Sequence, residues 1–158
     1  MTIENDINQE KFRNERQKAA INLIYTYNWI SEKMKSFFEQ YDITSQQFNI
    51  LRILRGAGSP LSTLQIRERM LDKMSDTSRI VDRLIRKDLV NKRVCKSDKR
   101  LVDITINGKG IKLLEDMDAR NDEMDGVLKN LCEGEAKNLN LLLDKIRDTK
   151  PGTPSPGC

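Results

Sequence analysis

The run Ser75-Asp-Thr-Ser-Arg-Ile-Val-Asp-Arg-Leu-Ile-Arg-Lys-Asp-Leu-Val90 continues directly into Asn91-Lys-Arg-Val-Cys-Lys-Ser-Asp-Lys-Arg-Leu-Val-Asp-Ile-Thr105, and the hydrophobic period changes between the two. In the first half Thr77, Ile80, Val81, Leu84 and Ile85 recur every three to four residues, which places them on one helical stripe. Ser75, Asp76, Ser78, Arg79, Asp82, Arg83 and Arg86 are left facing elsewhere. From Lys92 to Ile106 the pattern alternates, with Val94 on one arm and Val102, Ile104 and Ile106 on the other. Lys96-Ser97-Asp98-Lys99-Arg100 forms a charged tip between the arms. A helix with a short polar and basic face followed by a basic hairpin predicts a winged helix-turn-helix.

Working outward, charge supports that reading. The 158 residues carry a net charge of only +4, but 13 Lys and Arg stand against 7 Asp and Glu between Pro60 and Gly110, with 15 against 17 elsewhere. Basic charge concentrated on one element is the footprint of a nucleic-acid partner, although a charge run by itself is as readily a solvated face. A hydrophobic fraction of 37% beside a charged fraction of 33% suits amphipathic helices, and some of their apolar surface is expected to need a partner chain. The apolar runs fall far short of the roughly 20 residues that span a bilayer, so the chain is expected to be cytoplasmic, with no membrane partner. There is no histidine, which removes Ser-His and Cys-His catalysis and imidazole zinc sites. Cys95, Cys132 and Cys158 form no Cys-x-x-Cys pair, so neither a disulfide framework nor a metal site is expected. No carboxylate pair, nucleophile elbow or phosphate loop is visible, and the chain reads as neither an enzyme nor a cofactor carrier.

Before the opening stretch, residues 1–10 carry no pattern and read as a flexible lead-in. Apolar residues from Ala20 to Tyr41 then predict one long helix over 11–41, about 45 Å in length. Its first half is expected to pack against another subunit, the alternative being a helix lying wholly on its own domain. Thr44 with Gln47, and Ser62 with Gln65, are capping-box patterns that open two short helices. Gly56-Ala57-Gly58-Ser59-Pro60 closes the first of these, and Leu71-Asp72-Lys73-Met74 is a turn before a cap at Ser75. After the hairpin, Thr105 and Asn107 are candidate caps of a helix carrying Ile111, Leu114, Met117, Met124, Val127, Leu128 and Leu131. Its other face is acidic, with Asp116, Asp118, Asp122, Glu123 and Asp125. A last helix spans about Glu133 to Arg147, and the Pro- and Gly-rich segment 149–158 is expected to be disordered. The fold class is thus mainly α with a small β-hairpin wing and about six helices. Residues 44–106 form the winged unit, and 11–41 with 107–148 a helical region.

Asp82-Arg83-Leu84, Leu89-Val90, Asp98-Lys99-Arg100 and Ile104-Thr105-Ile106-Asn107-Gly108, together with the segment from Thr44 to Leu54, give the chain its resemblance to the MarR family of bacterial transcriptional regulators. The match covers roughly Lys11 to Arg147. The resemblance implies a homodimer, with the 11–41 and 107–148 helices intertwined between subunits. It also implies repression through pseudo-palindromic duplex DNA, with release by a small, often aromatic, ligand or by an oxidant. One departure stands out: Asp88 occupies a position where such proteins often carry glycine, so the helix must end without the usual left-handed Gly, a conformation Asp tolerates better than most residues.

In the family the wing-tip Arg reaches the minor groove. That role falls on Arg100, with Asp98 orienting it; the plain alternative is an exposed ion pair. Arg79 is placed to read a guanine, and Ser75 and Ser78 to touch phosphate or a base edge. Arg83, Arg86, Lys96 and Lys99 suit phosphate contacts, as do Ser62 and Thr63 at a helix start. Asp76 either accepts from cytosine or caps the helix and orients an Arg. Cys95 and Cys132 read as structural thiols in the absence of a visible resolving partner, although basic neighbours of Cys95 would favour a thiolate. Tyr25, Tyr27, Trp29, Phe37 and Phe38 either line a ligand pocket or belong to the core. Two other functions remain open: a winged unit used for protein contacts through the acidic helix, and a nonspecific architectural DNA binder.

Overall fold

The computed structural model describes residues 2–94 and 102–148. Lys96, Asp98, Lys99 and Arg100 of the wing tip, Cys95 and the segment 149–158 lie outside the described residues. By contact the described chain falls into two units, one ending at Met124 and the other beginning at Asp125.

The first unit opens with a helical turn, α1 (Ile3–Asp6), in a stretch without sequence pattern. Ile3 is buried and Glu4 pairs with Lys18, and these contacts hold the turn. The long helix α2 (Glu15–Glu39) starts four residues later than its apolar pattern suggests. The cause is Asn14, whose side chain accepts from the Gln17 amide at 2.9 Å and so sets the N-cap. At its other end Asp42 adopts φ 53°, the Asp42 amide donates to the Glu39 carbonyl and the Ile43 amide to the Phe38 carbonyl. That is a Schellman closure without glycine.

Both capping boxes form as expected. Thr44 and Gln47 open α3 (Ser45–Ala57), which Gly58 ends at φ 61°. Ser62 and Gln65 open α4 (Thr63–Arg69). The next helix, α5 (Thr77–Arg86), is capped by Asp76 rather than by Ser75, because the Ser75 hydroxyl is engaged with Asp72. Strands β1 (Val90–Val94) and β2 (Val102–Ile106) pair antiparallel with Val90 opposite Ile106 and Val94 opposite Val102. Leu61 adds a bridge to Ile104 through two backbone hydrogen bonds of 3.0 and 2.8 Å, which ties the lead-in of α4 to the hairpin.

Helix α6 (Gly108–Asp118) is capped by Asn107. The single helix expected from Ile111 to Leu131 does not form. The chain breaks at Ala119–Arg120 and resumes as α7 (Asn121–Asp125) and a 3-10 turn (Gly126–Leu128). Asp116 and Asp118 sit at the negative end of the α6 dipole, where acidic residues weaken a helix. The Arg120 amide donates to the Met117 carbonyl, tightening the last turn, and its side chain is held by Glu123 and Tyr41. This break and α1 raise the described helices to eight from the six expected. In the second unit α8 (Glu133–Arg147) has the expected bounds.

Helix α3 is the centre of the first unit, touching α2, α4, α5, α6 and β2. Ile50, Leu51, Ile66, Met70, Leu84, Ile104, Leu114 and Met117 are fully buried around it, and each such side chain is worth roughly 1.5–3 kcal/mol. Phe37 and Phe38 join this core with ring centroids 5.9 Å apart. Tyr25, Tyr27 and Trp29 remain exposed on α2, so the structure does not gather the five aromatics into one pocket.

Candidate nucleic-acid interface

The turn between α4 and α5 is built on one carboxylate. Asp72 accepts from the Met74 amide at 3.0 Å and from the Ser75 hydroxyl at 2.7 Å. The Ser75 hydroxyl first, then the Met74 amide, hold its carboxyl below the usual aspartate value. Asn49 on α3 accepts from the Leu71 amide at 3.0 Å, and Lys73 donates to the Glu68 carbonyl. A turn satisfied at so many backbone and side-chain groups fixes where the start of α5 points.

At that start Asp76 does two things. One oxygen accepts from the Arg79 amide at 3.2 Å, and the other lies 3.1 Å from Arg79 Nε. Of the two readings left open for Asp76, capping and Arg orientation is the one whose contacts form. Apart from this contact at Nε, the Arg79 side chain is 81% exposed. Ser78, Arg83 and Arg86 are also exposed along α5, and Asp82 lies 3.9 Å from Lys92 of β1. Ser62 and Thr63 are half-buried, and the capping box uses the Ser62 and Gln65 amides. Ser75 is turned inward to Asp72.

The C-terminal end of α5 is held from two sides. Asp88 takes φ 56°, the Asp88 amide donates to the Ile85 carbonyl and the Leu89 amide to the Leu84 carbonyl, giving a second Schellman closure without glycine. Lys87 pairs with Asp42 at 2.6 Å, and the Asn107 side-chain amide donates to the Asp88 carbonyl at 3.0 Å. Inside the helix start, Thr77 Oγ1 is buried and has no hydrogen-bond partner among the described residues.

Three features escaped the sequence reading. Asp72 is the lock of the turn, signalled by its spacing of three residues from Ser75. Arg67 on α4 lines the same shallow concavity as Thr63, Met74, Ser75 and Ser78, and its single positive charge gave no pattern of its own. Arg55 on α3 pairs with Asp118 on α6 through two contacts of 2.6 and 3.3 Å. Those residues are far apart in the chain, so no local period reveals the pair. Cys132, in the second unit, is exposed at the start of α8.

The basic α5, fixed by a rigid turn to α4 and followed by an antiparallel hairpin, defines a winged helix-turn-helix protein. The MarR family model matches residues 43–102. The multiple antibiotic resistance protein MarR of Salmonella typhimurium is 28% identical over 127 residues, covering 78% of this chain and 88% of that protein. A mutant MarR from E. coli complexed with operator DNA has the same fold, with a TM-score of 0.75, 21% identity and coverage of 87% of this chain and 99% of that one. So has Bordetella bronchiseptica BpsR, whose DNA binding is regulated by 6-hydroxynicotinic acid, with a TM-score of 0.75, 20% identity and coverage of 83% and 99%. Residues 43–102 thus match the MarR family, and most of the chain is similar to transcriptional regulators of that family.

Proposed function

We propose that the protein represses transcription as a homodimer bound to pseudo-palindromic duplex DNA, and that a small aromatic ligand or an oxidant releases it. The observation that carries this reading is the start of α5. Asp72 fixes the turn, Asp76 holds the Arg79 side chain by Nε, and exposed Arg83 and Arg86 follow along the same helix. A major groove accepts a helix presented in this way, with its N-terminal residues nearest the bases. Arg79 is assigned to base reading, with Ser75, Asp76 and Ser78 around it. Ser62, Thr63, Arg83, Arg86, Lys96 and Lys99 are assigned to the phosphates, and Arg100, oriented by Asp98, to the minor groove. Two copies would then occupy half-sites about one helical turn apart. Release by an aromatic acid is supported by BpsR, whose DNA binding responds to one.

The test is a fluorescence titration of the protein on DNA flanking its own gene, repeated with aromatic acids, with oxidant and across salt concentrations. Saturable binding that weakens with salt through counterion release and is reversed by one of the added molecules is the expected result. Arg100→Ala should weaken operator binding severely while far-UV dichroism stays unchanged. Wild-type affinity in that variant would remove the wing from the interface, and failure to distinguish the flanking DNA from random sequence would sink the repressor reading.

A further inference from the structure

The tip of the helix-turn-helix carries apolar side chains that nothing in the fold covers. Met74 is 94% exposed and Leu64 63% exposed. Both line the shallow concavity that also holds Arg67, Ser75 and Ser78. Isolated exposed apolar residues need no explanation, but Leu64 lies on α4 and Met74 in the turn before α5, and both line one concavity beside the residues assigned to base reading. Met74 is not loose: its amide is tied to Asp72 at 3.0 Å, so its backbone is fixed while its side chain points outward. Of the polar residues that share the concavity, Ser75 has its hydroxyl turned back to the same carboxylate.

We infer that Leu64 and Met74 form an apolar seat for the C5-methyl group of a thymine in the major groove, making them specificity-determining residues of the interface. The inference rests on the DNA-binding reading above and goes beyond it by naming the base feature read. Duplex DNA is the occupant that fits, because Arg67 lines the concavity against a single carboxylate, Asp76, which is itself paired with Arg79, and exposed Arg83 and Arg86 follow on α5. Within the major groove the thymine methyl is the one apolar group on a base edge, every other readable feature being a hydrogen-bond donor or acceptor. Exposed Arg79 and the Leu64–Met74 seat would thus read a guanine and a nearby thymine by different chemistry.

The experiment replaces one methyl at a time. A binding site is first selected from a random duplex pool with the full chain, and each thymine is then exchanged in turn for deoxyuridine, which lacks only the C5-methyl. One thymine per half-site should lose about fourfold in affinity on exchange, the equivalent of one buried methyl. Met74→Ala and Leu64→Ala, surface changes that leave the core untouched, should bind the thymine site more weakly and no longer distinguish it from the deoxyuridine site. Indifference of the wild-type protein to every exchange, or variants that keep the full difference, would overturn the seat. A pool that enriches no sequence would instead overturn the sequence-specific reading on which the inference stands.

Discussion

Asp88 and Thr77 show how single residues carry a cost at the ends of α5. Asp88 holds a left-handed conformation in a Schellman closure, which an L-residue with a side chain adopts less readily than glycine. Asp88→Gly should therefore stabilise the fold, by up to about 1 kcal/mol after the extra unfolded-state entropy of glycine is set against the relief, read as a higher midpoint in urea at unchanged slope. Thr77 Oγ1 is buried without a partner, and an unsatisfied hydroxyl costs about 1 kcal/mol or more. Thr77→Val keeps the shape and removes the polar atom, so its thermal midpoint should rise; a lower midpoint would mean that the hydroxyl is satisfied after all. Asp76, by contrast, earns its place twice, as cap and as the partner of Arg79.

At the scale of elements, the base of the wing and the turn before α5 are the tight points. A side chain at Gly110 would press into the Leu89 carbonyl oxygen and lie 2.8 Å from Ile106 Cγ1. Gly108, the glycine of the family pattern, has nothing within 4 Å, so the steric demand lies two residues beyond it. Gly110→Ala is expected to lose about 1–3 kcal/mol by overpacking, with Gly108→Ala much milder, both measured by chemical denaturation. In the turn, the Ser75 hydroxyl lowers the Asp72 carboxyl below its ordinary value. A carboxyl depressed in the folded state contributes stability above its unfolded value and loses it as pH falls through the folded one. The difference in thermal midpoint between wild type and Asp72→Asn should therefore be largest near neutrality and shrink as the pH is taken below the usual aspartate range. A difference that stays constant with pH would remove Asp72 as a charged lock.

On the scale of the whole molecule, much apolar surface is left uncovered by a single chain. On α2, Ile24 is 64% exposed and Tyr27 68% exposed, and on α8 Leu141, Leu142 and Ile146 are exposed as well. Such exposed apolar residues, present on each unit, are what the proposed homodimer would cover. Sedimentation should give twice the chain mass of 18.3 kDa, with a thermal midpoint that rises with protein concentration. Ile24→Glu combined with Leu142→Glu should shift the protein toward monomer and weaken operator binding together. A variant that dimerises like wild type would place the subunit contact elsewhere.

Those three scales also separate what could be read along the chain from what could not. The capping boxes at Thr44 and Ser62, the stripe from Thr77 to Ile85, the alternation of the hairpin and the bounds of α8 were legible because each depends on residues within a turn or two of one another. Asp88 was legible too, since its left-handed conformation follows from where the helix must stop. The same local logic failed where a partner outside the pattern competed. Ser75 looks like a cap until Asp72 takes its hydroxyl, and the apolar period from Ile111 to Leu131 continues on paper although Arg120 is drawn to Tyr41 and Glu123 and the helix breaks. Which aromatics enter the core, that Arg55 pairs with Asp118, and that Leu64 and Met74 line one concavity were decided only by tertiary packing. These are contacts between elements, and the free energy of such a contact depends on what the rest of the fold brings to that point in space.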